Sequence, residues 1–306
     1  MAHPRSSRIR ARGLIRVAAL AGATVLALFA FVACAPLALI NRLVPGDTHT
    51  VERDIAYGSH PRQRLDVYRP TQVAPQAARG APVVVFFYGG AWTGGDRADY
   101  LFVGEAFASR GVVTVVADYR LYPEVKFPDF VDDCARAVAW AARNAARFGG
   151  DPQRIYLAGH SAGAYNAAML TYAPDYLAQA GVDRAAIRGL IGLAGPYDFR
   201  PLTGPTTRLI FGYPDTPDET QPIHFVGRTP AAGLPPALLL TASEDSTVNP
   251  ANSARMAARL RAAGGSAEEI AYPALDHGRI VGALAAPLRR LAPVLEDIAR
   301  FIDAHP

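Results

Sequence analysis

The stretch RIYLAGHSAGAYNAAML, residues Arg154 to Leu170, places a serine between an apolar run and an alanine-rich segment. The apolar run predicts a buried β-strand, and the alanine-rich segment predicts a helix. Between them, Gly159 and Gly163 stand two positions on either side of Ser161. A Gly-x-Ser-x-Gly turn between a strand and a helix is typical of a nucleophile held on a strained corner. A loop that merely needs small residues is the alternative interpretation.

Short apolar runs alternate with longer amphipathic segments from about Val51 onward. Strands are predicted for APVVVFFYGG, VVTVVADYR, RIYLAG, RGLIGLAGPYD, PPALLLTASED and SAEEIAYPAL, after an antiparallel pair formed by RDIAYG and QRLDVYRP. Helices are predicted between them, including Pro128 to Phe148, about Pro250 to Ala263, and about Pro287 to Ile302. This alternation indicates an α/β fold with a mostly parallel, doubly wound sheet and helices on both faces.

One interval, from Phe199 to Pro236, breaks the alternation because it is long and rich in proline, glycine and threonine. It is too long for an ordinary connection, which predicts a small lid over one edge of the sheet. Residues 50–306 are therefore expected to form a single domain with a lid at about 199–236. A chain of 306 residues is long enough to bury a full-sized core.

The positive charge of the chain is concentrated ahead of an apolar run near the N-terminus. Of 31 basic residues, five arginines lie before residue 34, which leaves 26 basic against 27 acidic residues in the remainder. The body is thus nearly neutral and gives no electrostatic reason to expect a nucleic-acid partner. The run VAALAGATVLALFAFV, from Val17 to Val32, predicts that residues 1–33 are a signal peptide or an N-terminal anchor.

Cys34 follows this run directly after Ala33, in a sequence that resembles the lipobox of bacterial lipoproteins. The resemblance implies lipidation of Cys34, although Phe31 stands where an aliphatic residue is usual. A plain signal anchor with an incidental cysteine is the alternative. We expect export to the cell envelope, with the protein attached to a membrane through this segment or its lipid. The alternative is a secreted or periplasmic protein. Cys134 is expected to be a buried free thiol, and no cysteine or histidine cluster has metal-ligand spacing.

Ser161 requires two partners, because a serine hydroxyl is a poor nucleophile near neutral pH without a base and an orienting carboxylate. Asp245 stands just beyond a predicted strand in LLLTASEDSTVNP, and His277 follows the last predicted strand in YPALDHGRIV. The order serine, acid, histidine is the order expected after such a turn. Glu244 is the rival acid. Asp276 is disfavoured because its side chain would diverge from the ring of the next residue.

The stretch FFYGGAWTGGD follows a predicted strand and is the candidate source of oxyanion donors. Glycine lets a backbone turn its N–H groups toward a bound acyl oxygen. The N–H groups of Gly90 and Ala91, or of Gly89 and Gly90, are expected to join that of Ala162 at the start of the following helix. A glycine turn that only ends the strand is the alternative. Dinucleotide binding is excluded because the Gly-x-Gly-x-x-Gly spacing is absent.

Five motifs together resemble the α/β hydrolases of the hormone-sensitive-lipase-like and feruloyl-esterase-like carboxylesterases: YGGAW, DYRLYPEVKFPDFVDD, GHSAG, SEDSTVNP and DHGRI. The resemblance covers most of residues 50–304 and implies the α/β-hydrolase fold. It also implies Ser161 as nucleophile, Asp245 as orienting acid, His277 as general base, and ester substrates with short to medium acyl chains. Tyr88 is a departure, since the family usually has a histidine there that braces the glycine loop. A tyrosine hydroxyl could brace the loop in a similar way.

The leading functional interpretation is a serine ester hydrolase that acts through an acyl-enzyme on a small-molecule ester and needs no cofactor. An arylformamidase or a peptidase would use the same groups, so the motifs do not separate these reactions. Tyr88 and Trp92 are candidate substrate-binding residues, although Trp92 beside a glycine loop could instead pack against the lid. A non-catalytic, membrane-tethered binding module with this fold is the alternative of another class. The sequence does not predict the oligomeric state.

Overall fold

A computed structural model of the chain describes residues 37–72, 80–228 and 233–306. The chain divides into two compact units, Met1–Leu43 and Val44–Pro306. In the described part of the first unit, residues 37–42 are helical. The segment 1–33 and Cys34, for which export and lipidation are predicted, lie outside the described residues. Within the described residues, no helix is both long enough and apolar enough to cross a membrane.

The second unit contains a sheet of eight strands in the part of the chain that the structure describes. The strands are β1 His49–Ala56, β2 Arg64–Pro70, β3 Ala81–Phe87, β4 Val113–Ala117, β5 Gly150–His160, β6 Ile187–Leu193, β7 Ala237–Ala242 and β8 Ala267–Tyr272. Their order across the sheet is β1-β2-β4-β3-β5-β6-β7-β8. β2 pairs antiparallel with both β1 and β4, and every other neighbouring pair is parallel. The predicted α/β fold with a mostly parallel sheet and an antiparallel start is confirmed.

Helices connect the parallel strands, as the alternating pattern predicts. They are α1 Leu101–Ala108, α2 Asp129–Asn144, α3 Ala162–Tyr172, α4 Asp175–Gln179, α5 Pro205–Phe211, α6 Pro222–Phe225, α7 Ala251–Ala262, α8 His277–Gly282 and α9 Val294–Ala304. Every residue of β4 and of β7 is buried. Because successive side chains of a strand point to opposite faces, complete burial means that both faces of the sheet are covered there.

One predicted helix boundary is wrong, and a second helix reaches its predicted end but changes type on the way. The segment predicted as one helix from about Pro287 to Ile302 is a 3₁₀-helix at Ala286–Leu291 followed by α9, which begins at Val294. Pro293 stands at the break, where its ring removes a backbone donor and opposes a continuous helix. The helix predicted to reach residue 148 ends as an α-helix at residue 144 and continues as a 3₁₀-helix. The glycine stop that follows, with Gly149 at φ 80°, is confirmed.

The interval 199–236 contains α5, α6 and a 3₁₀ turn at Asp218–Thr220, with residues 229–232 outside the described part. The interval is therefore a set of short helices inserted between β6 and β7. Its first residues line a cavity that also contains Ser161. The insertion thus meets the edge of the sheet where the parallel strands end, which is the edge at which α/β folds bind ligands.

Candidate active site

Ser161 lies on a sharp turn between β5 and α3, with φ 54° and ψ −122°. A positive φ is unfavourable for any residue with a side chain, so the surrounding structure must hold it. The glycines on either side of Ser161 permit neighbouring backbone segments to approach this turn closely. A Cβ on Gly163 would lie 1.9 Å from the carbonyl oxygen of Phe87, and a Cβ on Gly159 would lie 2.3 Å from the carbonyl group of Gly163. The predicted strand–turn–helix corner is present.

Asp245 and His277 form a hydrogen-bonded pair at the ends of neighbouring strands β7 and β8. Oδ2 of Asp245 lies 2.7 Å from Nδ1 of His277. Oδ1 of Asp245 accepts the backbone N–H groups of Thr247 and Val248, both at 2.8 Å. The Asp245 side chain is only 2% exposed and that of His277 is 17% exposed. Three hydrogen bonds fix this buried carboxylate, which in turn fixes the orientation and the tautomer of the imidazole.

The two rival carboxylates lie elsewhere. Glu244 is exposed to solvent. Asp276 caps helix α8, and its Oδ1 accepts the backbone N–H groups of Gly278 and Arg279 at 3.0 and 2.8 Å. Neither carboxylate has a hydrogen bond to His277 in the described structure, and the capping role explains why Asp276 diverges from the adjacent ring.

His160 connects the serine turn to the histidine loop, a contact that the sequence analysis missed. Nε2 of His160 lies 2.8 Å from the carbonyl oxygen of His277, and the two ring centroids are 4.7 Å apart. Burial, together with the proximity of His277, lowers the pKa of His160 to about 3. The ring is therefore neutral at ordinary pH. Its place inside the Gly-x-Ser-x-Gly turn puts it near Ser161 in the sequence, but no residue pattern indicates its contact with the His277 loop.

The glycine loop after β3 is braced from below by a network centred on Tyr88. The Tyr88 hydroxyl donates to Oδ1 of Asp118 at 2.7 Å and accepts a hydrogen bond from Nη2 of Arg62 at 2.6 Å. Arg62 also donates to the carbonyl oxygen of Gly95 at 2.8 Å, and the Tyr119 hydroxyl donates to the carbonyl oxygen of Tyr88 at 2.8 Å. Tyr88 is fully buried, so the structure places it under the loop rather than in the cavity.

Arg97 extends this network. Its side chain pairs with Asp118, with Oδ1 of Asp66 at 2.9 Å, and with Oδ1 of Asp54 at 2.7 Å. Burial raises the pKa of Asp118, while the hydrogen bonds from Tyr88 and from the backbone N–H of Arg97 oppose that rise. The buried carboxylate of Asp118, which follows β4, is therefore bonded to residues at both ends of the glycine loop, Tyr88 and Arg97.

The residues that carry the candidate oxyanion donors differ in whether they line the cavity at Ser161. Ala91 and Ala162 line the cavity together with Ser161. Of the two donor pairs that the sequence left open, the pair Gly90 and Ala91 includes a residue of the cavity lining, Ala91.

The cavity at Ser161 has a volume of about 590 Å³. Aromatic and aliphatic side chains line one part, including Trp92, Phe199 and Leu202, whereas Asn249 and Arg255 belong to its polar lining. The indole Nε1 of Trp92 donates to Oδ1 of the buried Asn166 at 3.1 Å. This bond and the burial of Trp92, which is 3% exposed, make the indole a fixed wall. Among the described residues, no cluster of three or more histidine, cysteine, aspartate or glutamate side chains is arranged to hold a metal.

Comparison with known proteins gives consistent matches. Residues 65–260 match the family described as BD-FAE. The chain is 32% identical over 244 residues to a probable isoprenylcysteine alpha-carbonyl methylesterase of Arabidopsis thaliana, which covers 74% of this chain and 57% of that protein. It is 32% identical over 268 residues to the carboxylesterase NlhH of Mycobacterium tuberculosis, which covers 77% of each chain.

Among solved structures, Thermogutta terrifontis esterase 2 phosphonylated by cyclosarin superimposes with a TM-score of 0.67 at 26% identity. The match covers 85% of this chain and 95% of that one. The chain spans little more than half the length of the plant methylesterase, 57%. The family match over residues 65–260 contains Ser161 and Asp245, whereas His277 follows it in the sequence.

Proposed function

The chain belongs to the BD-FAE family and has the α/β-hydrolase fold, and on this basis we propose that it is a serine carboxylic-ester hydrolase acting through an acyl-enzyme. The observation that carries the proposal is the 2.7 Å bond between Asp245 and His277, whose loop is linked through His160 to the strained turn of Ser161. An imidazole oriented by a buried carboxylate, together with a serine at a helix N-terminus, is the set of groups that activates a hydroxyl.

In the proposed reaction, Ser161 Oγ attacks the ester carbonyl carbon while His277 accepts its proton. The backbone N–H groups of Ala162, and of Gly90 and Ala91, stabilise the negative oxygen of the tetrahedral intermediate. His277 returns the proton to the leaving alcohol, which leaves the acyl group on Ser161. Water then repeats the sequence and releases the acid. This chain's own side chains and backbone supply every group that these steps require.

The substrates we propose are esters with short to medium acyl chains. A cavity of about 590 Å³ holds a small organic ester, and the indole of Trp92 limits it on one side. The relatives named as a methylesterase and a carboxylesterase support ester cleavage. Formamide and peptide bonds require the same attack, so aryl formamides and short peptides are the comparison substrates.

Hydrolysis of p-nitrophenyl esters from acetate to decanoate by the parent and by Ser161→Ala tests the proposal. We expect activity in the parent, highest for the shorter chains, and a loss of at least about 10³-fold in the variant. Equal background rates in both proteins would contradict the esterase proposal and favour the binding module. Faster cleavage of an aryl formamide than of any ester would favour the formamidase.

We further propose that the protein is exported and attached to a membrane through its N-terminal segment, with Cys34 carrying a lipid. The basic and apolar sequence of residues 1–33 supports this proposal. Metabolic labelling with a fatty acid tests it. We expect Cys34→Ala to lose the label and the membrane association, and Cys134→Ala, which alters only a buried thiol, to keep both. A Cys34→Ala protein that stays membrane-bound without any label would favour the plain anchor.

A further inference from the structure

The ring of His160 is enclosed between the glycine loop and the loop of the general base. On one side its Nε2 lies 2.8 Å from the carbonyl oxygen of His277. On the other side, a Cβ added to Gly89 would lie 3.0 Å from its Nδ1. His160 is 6% exposed. The ring therefore fills a closed slot directly behind Ser161.

The contacts determine which nitrogen carries the proton. A carbonyl oxygen only accepts hydrogen bonds, so Nε2 of His160 must be the donor. Nδ1 is buried and has no hydrogen-bond partner among the described residues. A second proton on Nδ1 would be a buried, unpaired, charged donor, which is costly. The neutral ring with its proton on Nε2 is thus the form that fits, and burial lowers the pKa of His160 in the same direction.

The charged and titratable groups that face His160 come from two loops. His277 faces it from the start of α8, and Asp245, in the loop after β7, influences its pKa through its charge. From the glycine loop, the backbone of Gly89 packs against the ring. The charge state of His160 therefore acts directly on the pair that would handle the proton during ester cleavage.

We propose that His160 is a positioning residue for the general base, an inference that rests on the proposed function. Its Nε2–H donates to the carbonyl oxygen of His277 and fixes the start of α8, so that the imidazole meets the Ser161 hydroxyl. Its ring also supplies an uncharged neighbour to His277. The residue between Gly159 and Ser161 thereby sets the pH range in which the base works.

The electrostatic part of the proposal follows from proximity. While Ser161 is attacking, His277 carries a second proton and a positive charge. A neutral ring with its centroid 4.7 Å away adds no repulsion. A carboxylate at position 160 would favour the charged form of the His277 imidazole. An opposite charge at this distance shifts a pKa by about one to three units.

Three substitutions of His160 separate the two parts of the role. His160→Gln keeps a side-chain N–H donor, and His160→Leu keeps bulk but removes the donor. His160→Asp introduces a negative charge. His305→Gln removes a histidine near the C-terminus and serves as the control. For each full-length protein, kcat, KM and the pH profile of kcat/KM are measured with p-nitrophenyl butyrate, after a thermal melt has established folding.

We expect His160→Leu to lose about tenfold or more in kcat with KM within about twofold, because the His277 carbonyl oxygen loses its donor. We expect His160→Gln to recover most of that loss. His160→Asp should move the acid limb of kcat/KM upward by about one to two pH units, whereas His305→Gln should leave both kcat and the limb as in the parent.

Equal kcat values for the leucine and glutamine variants would overturn the positioning role, and so would an acid limb in His160→Asp that stays at the parental pH. If His160→Asp does not fold, the comparison between leucine and glutamine decides. Ser161→Ala is assayed in parallel. A parent without Ser161-dependent activity overturns both proposals, whereas an active parent with indifferent His160 variants overturns the positioning role alone.

Discussion

At the scale of single residues, the described structure distinguishes three carboxylates that lie close together in the sequence or beside the same histidine. Asp245 is buried and directs Oδ2 to His277. Glu244, one position earlier, is exposed, and Asp276, next to His277, is used as a helix cap. Adjacent residues at the end of a strand point in different directions, so a shift of one position exchanges a buried partner for a solvated one.

Replacing Asp245 by asparagine is therefore expected to reduce kcat for p-nitrophenyl butyrate by about 10³- to 10⁴-fold, because an amide no longer holds the imidazole in the required tautomer. Glu244→Gln is the matched control and should remain within about twofold of the parent. A larger loss in Glu244→Gln than in Asp245→Asn would reassign the orienting acid.

The buried hydroxyl of Tyr88 gives a second prediction at this scale. Tyr88→Phe removes the hydroxyl that is hydrogen-bonded to both Arg62 and Asp118 and leaves each with one fewer hydrogen-bond partner inside the protein. We expect the free energy of unfolding in urea to fall by about 1–2 kcal/mol. We also expect kcat to fall several-fold, because the glycine loop loses its brace.

Tyr68→Phe is the control for that measurement. Tyr68 is as fully buried as Tyr88, but its hydroxyl has no hydrogen-bond partner among the described residues. Removing that hydroxyl should leave stability unchanged or slightly higher. Equal losses in Tyr88→Phe and Tyr68→Phe would mean that the network around Asp118 does not stabilise the loop.

The sequence identified Ser161, Asp245 and His277 because each stands in a motif at the end of a predicted strand, and the structure places all three at the same edge of the sheet. It did not identify His160, because its partner is a backbone carbonyl oxygen 117 positions away. A main-chain acceptor leaves no trace in residue identity. The pairing of Tyr88 with Arg62 was missed for a related reason, since nothing in the sequence places Arg62 beneath the glycine loop.

At the scale of secondary-structure elements, the turn at Ser161 depends on the close approach of α3 to the end of β3. The amino-terminal turn of α3 contains Gly163, and the position that a Cβ would take there lies 1.9 Å from the carbonyl oxygen of Phe87. A helix this close to a neighbouring strand tolerates no side chain at the contact. The glycine is therefore required by packing as well as by the strained turn.

We expect Gly163→Ala to lower the free energy of unfolding by about 3 kcal/mol, since the added methyl group would lie 1.9 Å from a backbone oxygen that cannot move aside. Gly46→Ala is the control, because a Cβ at Gly46 would have no atom within 4 Å. Urea unfolding of the two variants measures the difference. A stable Gly163→Ala protein would show that α3 can shift away from β3.

Element types were more predictable than element limits. Strands buried on both faces appear as continuous apolar runs, which is why β3, β4 and β7 were found. The last helix was predicted too long because its apolar spacing continues through Pro293, and periodicity alone does not register a missing N–H group. The short helices α5 and α6 were not predicted individually, since helices of seven and four residues are too short to show a regular apolar period.

At the scale of the whole molecule, burial of His160 couples folding to pH. The pKa of His160 is about 3 in the folded protein and near its usual 6.5 in the unfolded chain. Above pH 6.5 the ring is neutral in both states. As the pH falls toward 3, the unfolded state gains the proton first, so the contribution of the neutral ring to stability is progressively lost.

Between pH 6.5 and pH 5, the parent should lose about 2 kcal/mol more unfolding free energy than His160→Gln, which lacks this titration. Urea unfolding at both pH values measures the difference. The raised pKa of Asp118 makes the folded state more stable as the pH falls, which is the opposite effect. Because both proteins contain Asp118, this effect cancels in the difference between them. Parallel pH dependences in the two proteins would show that His160 titrates alike in the folded and unfolded states.

The overall topology was predictable in class but not in order. The alternation of strands and helices indicated a parallel sheet, and the two opening strands indicated an antiparallel pair. The position of β3 between β4 and β5 depends on crossovers between elements distant in sequence, which no local pattern encodes. The shape of the cavity was likewise unpredictable, because the insertion and three separate loops contribute to it.

The cavity wall contributed by the insertion has a consequence for how the cavity can change in evolution. Asp198, Phe199 and the residues up to Gly204 line the cavity consecutively, whereas Ser161, Asp245 and His277 are held by the strands of the sheet. Part of the cavity lining thus lies in a stretch of the chain separate from these three residues, and the rest lies in the loops beside them. Substitutions in the stretch from Asp198 to Gly204 can therefore change the cavity during evolution while Ser161, Asp245 and His277 keep their positions.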